Sequence, residues 1–104
     1  MSLKKDKALA LLGLAMKAHS LVSGEFQTLE AVKSQKAVMV MIAEDASANT
    51  KKLFHDKCSF YEVPVYEYGT KEDLGRAIGK DLRSSLAVCD AGLAEAVIRQ
   101  LETR

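Results

Sequence analysis

Apolar residues at Ala8, Leu9, Leu11, Leu12, Ala15 and Met16 recur at spacings of three and four. That spacing predicts one buried stripe on a helix from about Leu3 to Ala18, with Ser2 available as its cap. Gly13 lowers helix propensity inside this stretch, and close approach by a neighbouring element would explain its presence. After His19 comes a short apolar step, Leu21-Val22, and then a Ser23-Gly24 junction. A second helix is expected from about Glu25 to Gln35, burying Leu29, Val32 and Phe26. Ala37 to Ala43 is continuously apolar and partly β-branched. It is too short for a free-standing helix and reads as a central strand covered on both faces.

Beyond that strand, Ser47 or Asp45 can cap a third helix running through Leu53, Phe54 and Cys58. Val63, Val65 and Tyr66 form a short strand, and Pro64 argues for an edge position or a strand start. Thr70 and Asp73 have the spacing of a capping box for a short fourth helix, which buries Leu74, Ala77 and Ile78 and stops at Gly79. Lys80 to Ser84 reads as a loop and Ser85 to Cys89 as a last strand. Asp90 caps a final helix with Leu93, Ala94, Val97, Ile98 and Leu101 on its apolar side. Strict alternation of helix and strand, without repeats or a linker, predicts an α/β sandwich with helices on both faces of a four-stranded sheet.

Composition adds limits. The chain has 104 residues, 48% of them apolar and 28% charged, with a formal net charge of +1. One folded domain over residues 1–104 is expected, and disorder is excluded because neither low hydrophobicity nor self-repulsion keeps such a chain open. No apolar run approaches the roughly 20 residues of a membrane helix, and no signal-peptide pattern opens the chain. A soluble cytoplasmic protein without a membrane partner is the expectation. Cys58 and Cys89 lie outside any CxxC pattern, so two buried free thiols are expected rather than a disulfide or zinc site.

The charges are unevenly distributed. Residues 1–36 carry Lys4, Lys5, Lys7, Lys17, Lys33 and Lys36 against Asp6, Glu25 and Glu30, a basic surplus. The middle third is acidic and the last third balanced. A nucleic-acid binder with a large electrostatic footprint would be more basic, so any such role must use a small contact.

Phosphate-cradling loops, nucleophile elbows and zincin helices have no support in the sequence, and no catalytic residue, metal or cofactor is expected. His19 and His55 lie in separate helical regions and read as surface side chains. Glu44-Asp45 ends the central strand, where open α/β sheets place ligands. Its arrangement suggests the acidic pocket of a phosphorylated receiver domain, but the late strand ends in Cys89-Asp90 where that chemistry needs a lysine. Capping of the third helix is the simpler role for these carboxylates.

Three segments form the remaining constellation: Ser23 to Glu30, Ala43 to Ser47, and Leu74 to Ser84. Gln27, Glu30 and Ser34 share one polar line of the second helix. A glycine at the helix start leaves backbone N–H groups open to an approaching molecule, and Gln27 offers donor and acceptor together to a base edge.

In order and spacing, these segments resemble the ribosomal protein L7Ae/L30e family of kink-turn RNA-binding proteins, and most closely its bacterial YlxQ-type members. The resemblance runs from about Lys7 to Ile98 and is most specific in Ala43 to Lys52 and Leu74 to Lys80. It implies a three-layer α/β/α sandwich with a mixed four-stranded sheet, and a non-catalytic protein that binds structured RNA. The implied targets are a kink-turn in ribosomal RNA or in an mRNA leader, with the ribosome as a further partner and no DNA.

The family signature falls on Gly24, Phe26, Gln27 and Glu30. Gly24, with Glu25 beside it, would admit the RNA, and Gln27 would read purine edges. Glu44 and Asp45 would line the side that takes an extruded base, assisted by Ser84 in the loop before the last strand. Lys33, Lys51, Lys52 and Arg83 would contact phosphates, with Lys36 and Lys80 nearby. Two positions depart from the family pattern. Phe26 stands where a polar Asn or Lys would give a base-edge contact, and Glu30 replaces a phosphate-pairing lysine with an anion. These exchanges leave open a protein-interaction module that keeps the fold while its RNA face has drifted.

Overall fold

The computed structural model describes residues 6–103. In chain order these form α1 (Lys7–Lys17), β1 (Leu21–Ser23), α2 (Glu25–Lys33), β2 (Met39–Ile42), α3 (Ala48–Tyr61), β3 (Val65–Glu67), α4 (Lys71–Ala77), β4 (Ser85–Val88) and α5 (Ala91–Glu102). The alternation read from the hydrophobic pattern is therefore the observed one.

Local chemistry sets most of the boundaries. Asp6 caps α1 by accepting from the Leu9 N–H at 3.0 Å, so this helix starts later than expected. The expected start at Ser2 and Leu3 lies outside the described residues. Ser47 rather than Asp45 caps α3, Asp90 caps α5, and Thr70 with Asp73 closes a full capping box on α4. Gly79 takes a positive φ of 73° just past α4, which ends that helix at little steric cost.

The sheet order is β1-β4-β2-β3. β4 pairs antiparallel with both β1 and β2, and β3 runs parallel to β2, so the sheet is mixed. β2 and β4 are buried along their whole length, and β2 shares the central position with β4. β3 is an edge strand that begins directly after Pro64, whose missing N–H forbids an interior place. α1 packs against α4 and α5, while α2 packs against α3. These two groups cover opposite faces of the sheet and complete the three-layer α/β/α sandwich.

The core centres on Leu12, Met39, Met41, Ile42, Phe54, Leu74 and Leu86, all fully buried. A Cβ built on Gly13 would lie 3.0 Å from the Ala77 carbonyl oxygen, so α1 and α4 touch where the glycine stands. Cys58 is buried and its thiol is pushed up to about 11 by that burial, whereas Cys89 is only half-buried. No helix among the described residues is long and apolar enough to cross a membrane.

The second helix corrects one expectation. Its inward residues are Thr28, Ala31 and Val32, Leu29 is half-buried, and Phe26 is 76% exposed. The reason is helical phase: Phe26 sits two residues before Thr28, about 200° around the axis, and so points away from the sheet that Thr28 faces.

Candidate nucleic-acid interface

The registers Ser23↔Leu86, Ile42↔Ser85 and Ile42↔Glu67 bring the C-terminal ends of β1, β2 and β3 beside the start of β4. α2, α3 and α4 all begin at this end. Backbone hydrogen bonds tie the junctions together: Gly24 N–H to the Ser85 carbonyl at 3.0 Å, Ala43 N–H to Ser84 at 2.9 Å, and Glu44 N–H to Gly69 at 2.7 Å. Two further contacts span long sequence distances. The Lys71 N–H donates to Asp45 Oδ1 at 2.8 Å, and Arg83 Nε donates to Ser23 Oγ at 3.0 Å.

Helix α2 differs from the other four. α1, α3, α4 and α5 each have a side chain that accepts from their first turn, whereas Gly24 supplies none to α2. The Thr28 N–H reaches the Gly24 carbonyl at 3.0 Å, which leaves the N–H groups of Glu25, Phe26 and Gln27 without an intrahelical acceptor. Gly24 has φ 91° and ψ 156°, and a Cβ built there would meet nothing within 4 Å, so the approach is clear. Glu25, Phe26, Gln27 and Glu30 are all exposed.

Arg83 supplies the cation of this face. Besides Ser23, its guanidinium donates through Nη1 to the Leu82 carbonyl at 3.0 Å, and its own N–H bonds to the Lys71 carbonyl at 3.1 Å. Both side-chain acceptors are neutral, and Arg83 has no carboxylate partner among the described residues, so its charge remains available to an anion.

The sequence-predicted residues divide accordingly. Gly24, Glu25, Phe26, Gln27, Glu44, Asp45, Arg83 and Ser84 meet at this end of the sheet. Asp45 gives one carboxylate oxygen to the α4 backbone, so it holds the junction together as well as facing outward. Lys51, in the first half of α3, is 3.4 Å from Glu67, and Lys52 is 2.9 Å from Asp56. Each lysine already has a carboxylate neighbour. Glu67 also meets His55 at 2.7 Å, and this hydrogen bond, followed by Lys51, holds its carboxyl below the usual range. Lys33 closes α2, about 12 Å along the helix from Glu25 at 1.5 Å per residue. Glu30 and then Lys33 therefore stand progressively farther from the junction.

Sequence reading did not single out two contributors, Ser23 and Leu82. Ser23 orients Arg83 across 60 residues, and no local pattern signals such a contact. Leu82 is 60% exposed and is the one large apolar side chain in a charged loop. That isolation was the available signal. Leu82 also lines an open cleft of about 620 Å³ with Glu72, Arg76, Gly79, Lys80 and Asp81.

A model of the ribosomal protein L7Ae/L30e/S12e/Gadd45 family matches residues 6–98. The chain belongs to that family. Among proteins similar to this L7Ae/L30e-family chain is the RNA-binding protein YlxQ of Bacillus subtilis, 42% identical over 92 residues, which span 88% of this chain and 92% of that protein. The large ribosomal subunit protein eL30 of Neurospora crassa is 38% identical over 89 residues, covering 80% and 78% of the two chains. A solved structure of a protein of unknown function from Bacillus halodurans superimposes with a TM-score of 0.90 at 40% identity, covering 93% of this chain and 98% of the other. The fold expected from the resemblance is thus the family fold.

Proposed function

We propose that this L7Ae/L30e-family protein binds structured RNA of the kink-turn kind without catalysing a reaction, through the end of the sheet where α2 begins. A ribosomal RNA or an mRNA leader is the expected target, in a ribosomal or other translational setting. The observation that carries this reading is the uncapped start of α2. Its three free N–H groups, the open approach at Gly24 and the unpaired charge of Arg83 call for a ligand rich in acceptors, which phosphates and purine edges supply. The names of YlxQ and eL30 point the same way.

Bulk charge contributes little. Glu25, Glu44 and Asp45 share the face with Arg83, so recognition rests on shape and base edges, as is usual where RNA bases are unstacked. The test is a salt titration of binding to a kink-turn RNA and to a plain duplex of the same length. Preference for the kink-turn, with a salt slope equivalent to about one to three phosphates, is expected. Gln27→Ala should weaken kink-turn binding roughly 5- to 150-fold, the range for losing one bidentate base contact. Equal weak binding to both RNAs would rule the reading out.

Glu30 gives an independent check. Being exposed and one turn from Phe26, it repels an RNA backbone laid along α2. Glu30→Lys should tighten binding by up to about tenfold at low salt, and the gain should shrink as salt rises. A gain that ignores salt would contradict an electrostatic origin.

A further inference from the structure

A second cleft opens between α1 and α5, on the face of the sheet opposite α2 and α3. Its volume is about 360 Å³, and its lining includes Ala10, Leu11, Leu14 and Ala96 together with Lys7 and Arg99. The Cys89 N–H bonds to the Ser20 carbonyl at 2.7 Å, so the end of α1 and the start of α5 lie together and the two helices run antiparallel. Lys7 near the start of α1 and Arg99 near the end of α5 therefore share one end of the cleft. α1 turns Ala8, Leu9, Leu12 and Ala15 to the core, which leaves Leu14 on its outer side, 54% exposed and about two turns from Lys7. The core does not account for Leu14, and nothing in the proposed RNA contact reaches it.

We infer that this cleft is a docking surface for an acidic amphipathic helix of a protein partner. A third helix laid along the groove would bury its apolar anchors against Leu11 and Leu14 and set Asp or Glu beside Lys7 and Arg99. The charges select this occupant. Two cations and no carboxylate line the cleft, and α1 carries Lys7 and Lys17 with no acid between them. Asp6 and Glu102 give their carboxylates to the hydroxyls of Tyr68 and Tyr66. Arg99 has Glu95 at 3.5 Å, but these side chains are 66% and 74% exposed, and an exposed pair of this kind yields readily to an incoming carboxylate. A second copy of the chain is a poor occupant, since antiparallel pairing of α1 with its copy sets Lys7 against Lys17. RNA phosphates could meet the two cations, but they would leave the apolar lining uncovered. The inference does not depend on the RNA reading, because the cleft and the start of α2 lie on opposite faces of the sheet.

The probe is a stapled helical peptide of about 15 residues, with leucines along one face and glutamates beside them, compared with the same peptide carrying lysines for glutamates. Titration into isotope-labelled protein should shift amides of α1 and α5 and leave those of residues 24–27 in place. The glutamate peptide should bind at least about fivefold tighter than the lysine peptide, and Leu14→Ala should weaken it by a similar factor. The double variant Lys7→Glu with Arg99→Glu should reverse the peptide preference, and Leu14→Met should bind as wild type does. Residues 7, 14 and 99 are exposed, so each variant should melt within a few degrees of wild type. Absence of saturable binding, equal affinity for the two peptides, or shifts outside α1 and α5 would overturn the inference. So would loss of kink-turn binding in the double charge variant, which would assign the cleft to RNA. Self-association of the wild-type chain that Leu14→Ala abolishes would overturn it in favour of a second copy.

Discussion

Gly75→Ala is expected to lower stability by about 3 kcal/mol or more, a drop of roughly 12 °C or more in melting temperature for a domain of this size. Gly75 is buried inside α4, where an alanine would ordinarily gain up to about 1 kcal/mol in helix propensity. Sterics decide against it. A Cβ built there would lie 1.7 Å from the Asp81 carbonyl oxygen and 2.6 Å from its carbon, which is backbone and cannot swing aside. The loop folds back this closely because the Lys80 N–H bonds to the Gly75 carbonyl at 2.8 Å and the Arg83 N–H to the Lys71 carbonyl at 3.1 Å. Relief of the clash must push residues 80–83 off α4 and take Arg83 away from Ser23. Urea melts should show the loss of stability, and RNA binding measured well below the melting point should weaken as it does in Arg83→Ala. A variant as stable as wild type would mean that the loop does not rest on α4.

That loop also shows where sequence reading stops. Thr70 with Asp73, Asp90, Pro64 and Gly79 act within a few residues of themselves, so their roles were legible before any coordinates. The same holds for β2, whose unbroken apolar run could only be a strand buried on both faces. Gly75 drew no reading of its own from the sequence, because the backbone it admits arrives from another turn of chain. Asp45 reaching Lys71, Lys51 reaching Glu67 and Arg83 reaching Ser23 are likewise products of strand order, which the alternation of elements does not specify. Phe26 misled for a different reason. Hydrophobicity suggested burial, but the phase of α2 is set by Thr28, Ala31 and Val32, and a small apolar set including a threonine is a faint signal. The candidate face was found because its segments are local junctions; the division of labour among its charges was not, because it depends on which carboxylate lies across the sheet.

Gly24→Ala is expected to reduce stability by about 1 to 3 kcal/mol and to weaken RNA binding as well, although a Cβ there would touch nothing. Gly24 and Gly75 therefore fail for opposite reasons. At φ 91° and ψ 156° the backbone of Gly24 occupies a region that residues with a Cβ scarcely enter. An alanine must either bear that strain or rotate out of it. Rotation is opposed by two bonds, from the Gly24 N–H to the Ser85 carbonyl and from the Thr28 N–H to the Gly24 carbonyl, each 3.0 Å. Those bonds fix the direction in which the free N–H groups of Glu25, Phe26 and Gln27 point. If the strain is borne, urea melts record it and binding changes little; if the peptide rotates, part of the strain is relieved and the binding geometry is lost. The two losses should therefore trade against each other at this position. Gly24→Asn should lose about as much stability as Gly24→Ala, because asparagine's tolerance of positive φ belongs to the left-handed helical region and does not extend to ψ 156°. Full wild-type stability together with full RNA affinity in Gly24→Ala would show that the unusual backbone at the start of α2 is not required by either the fold or the site.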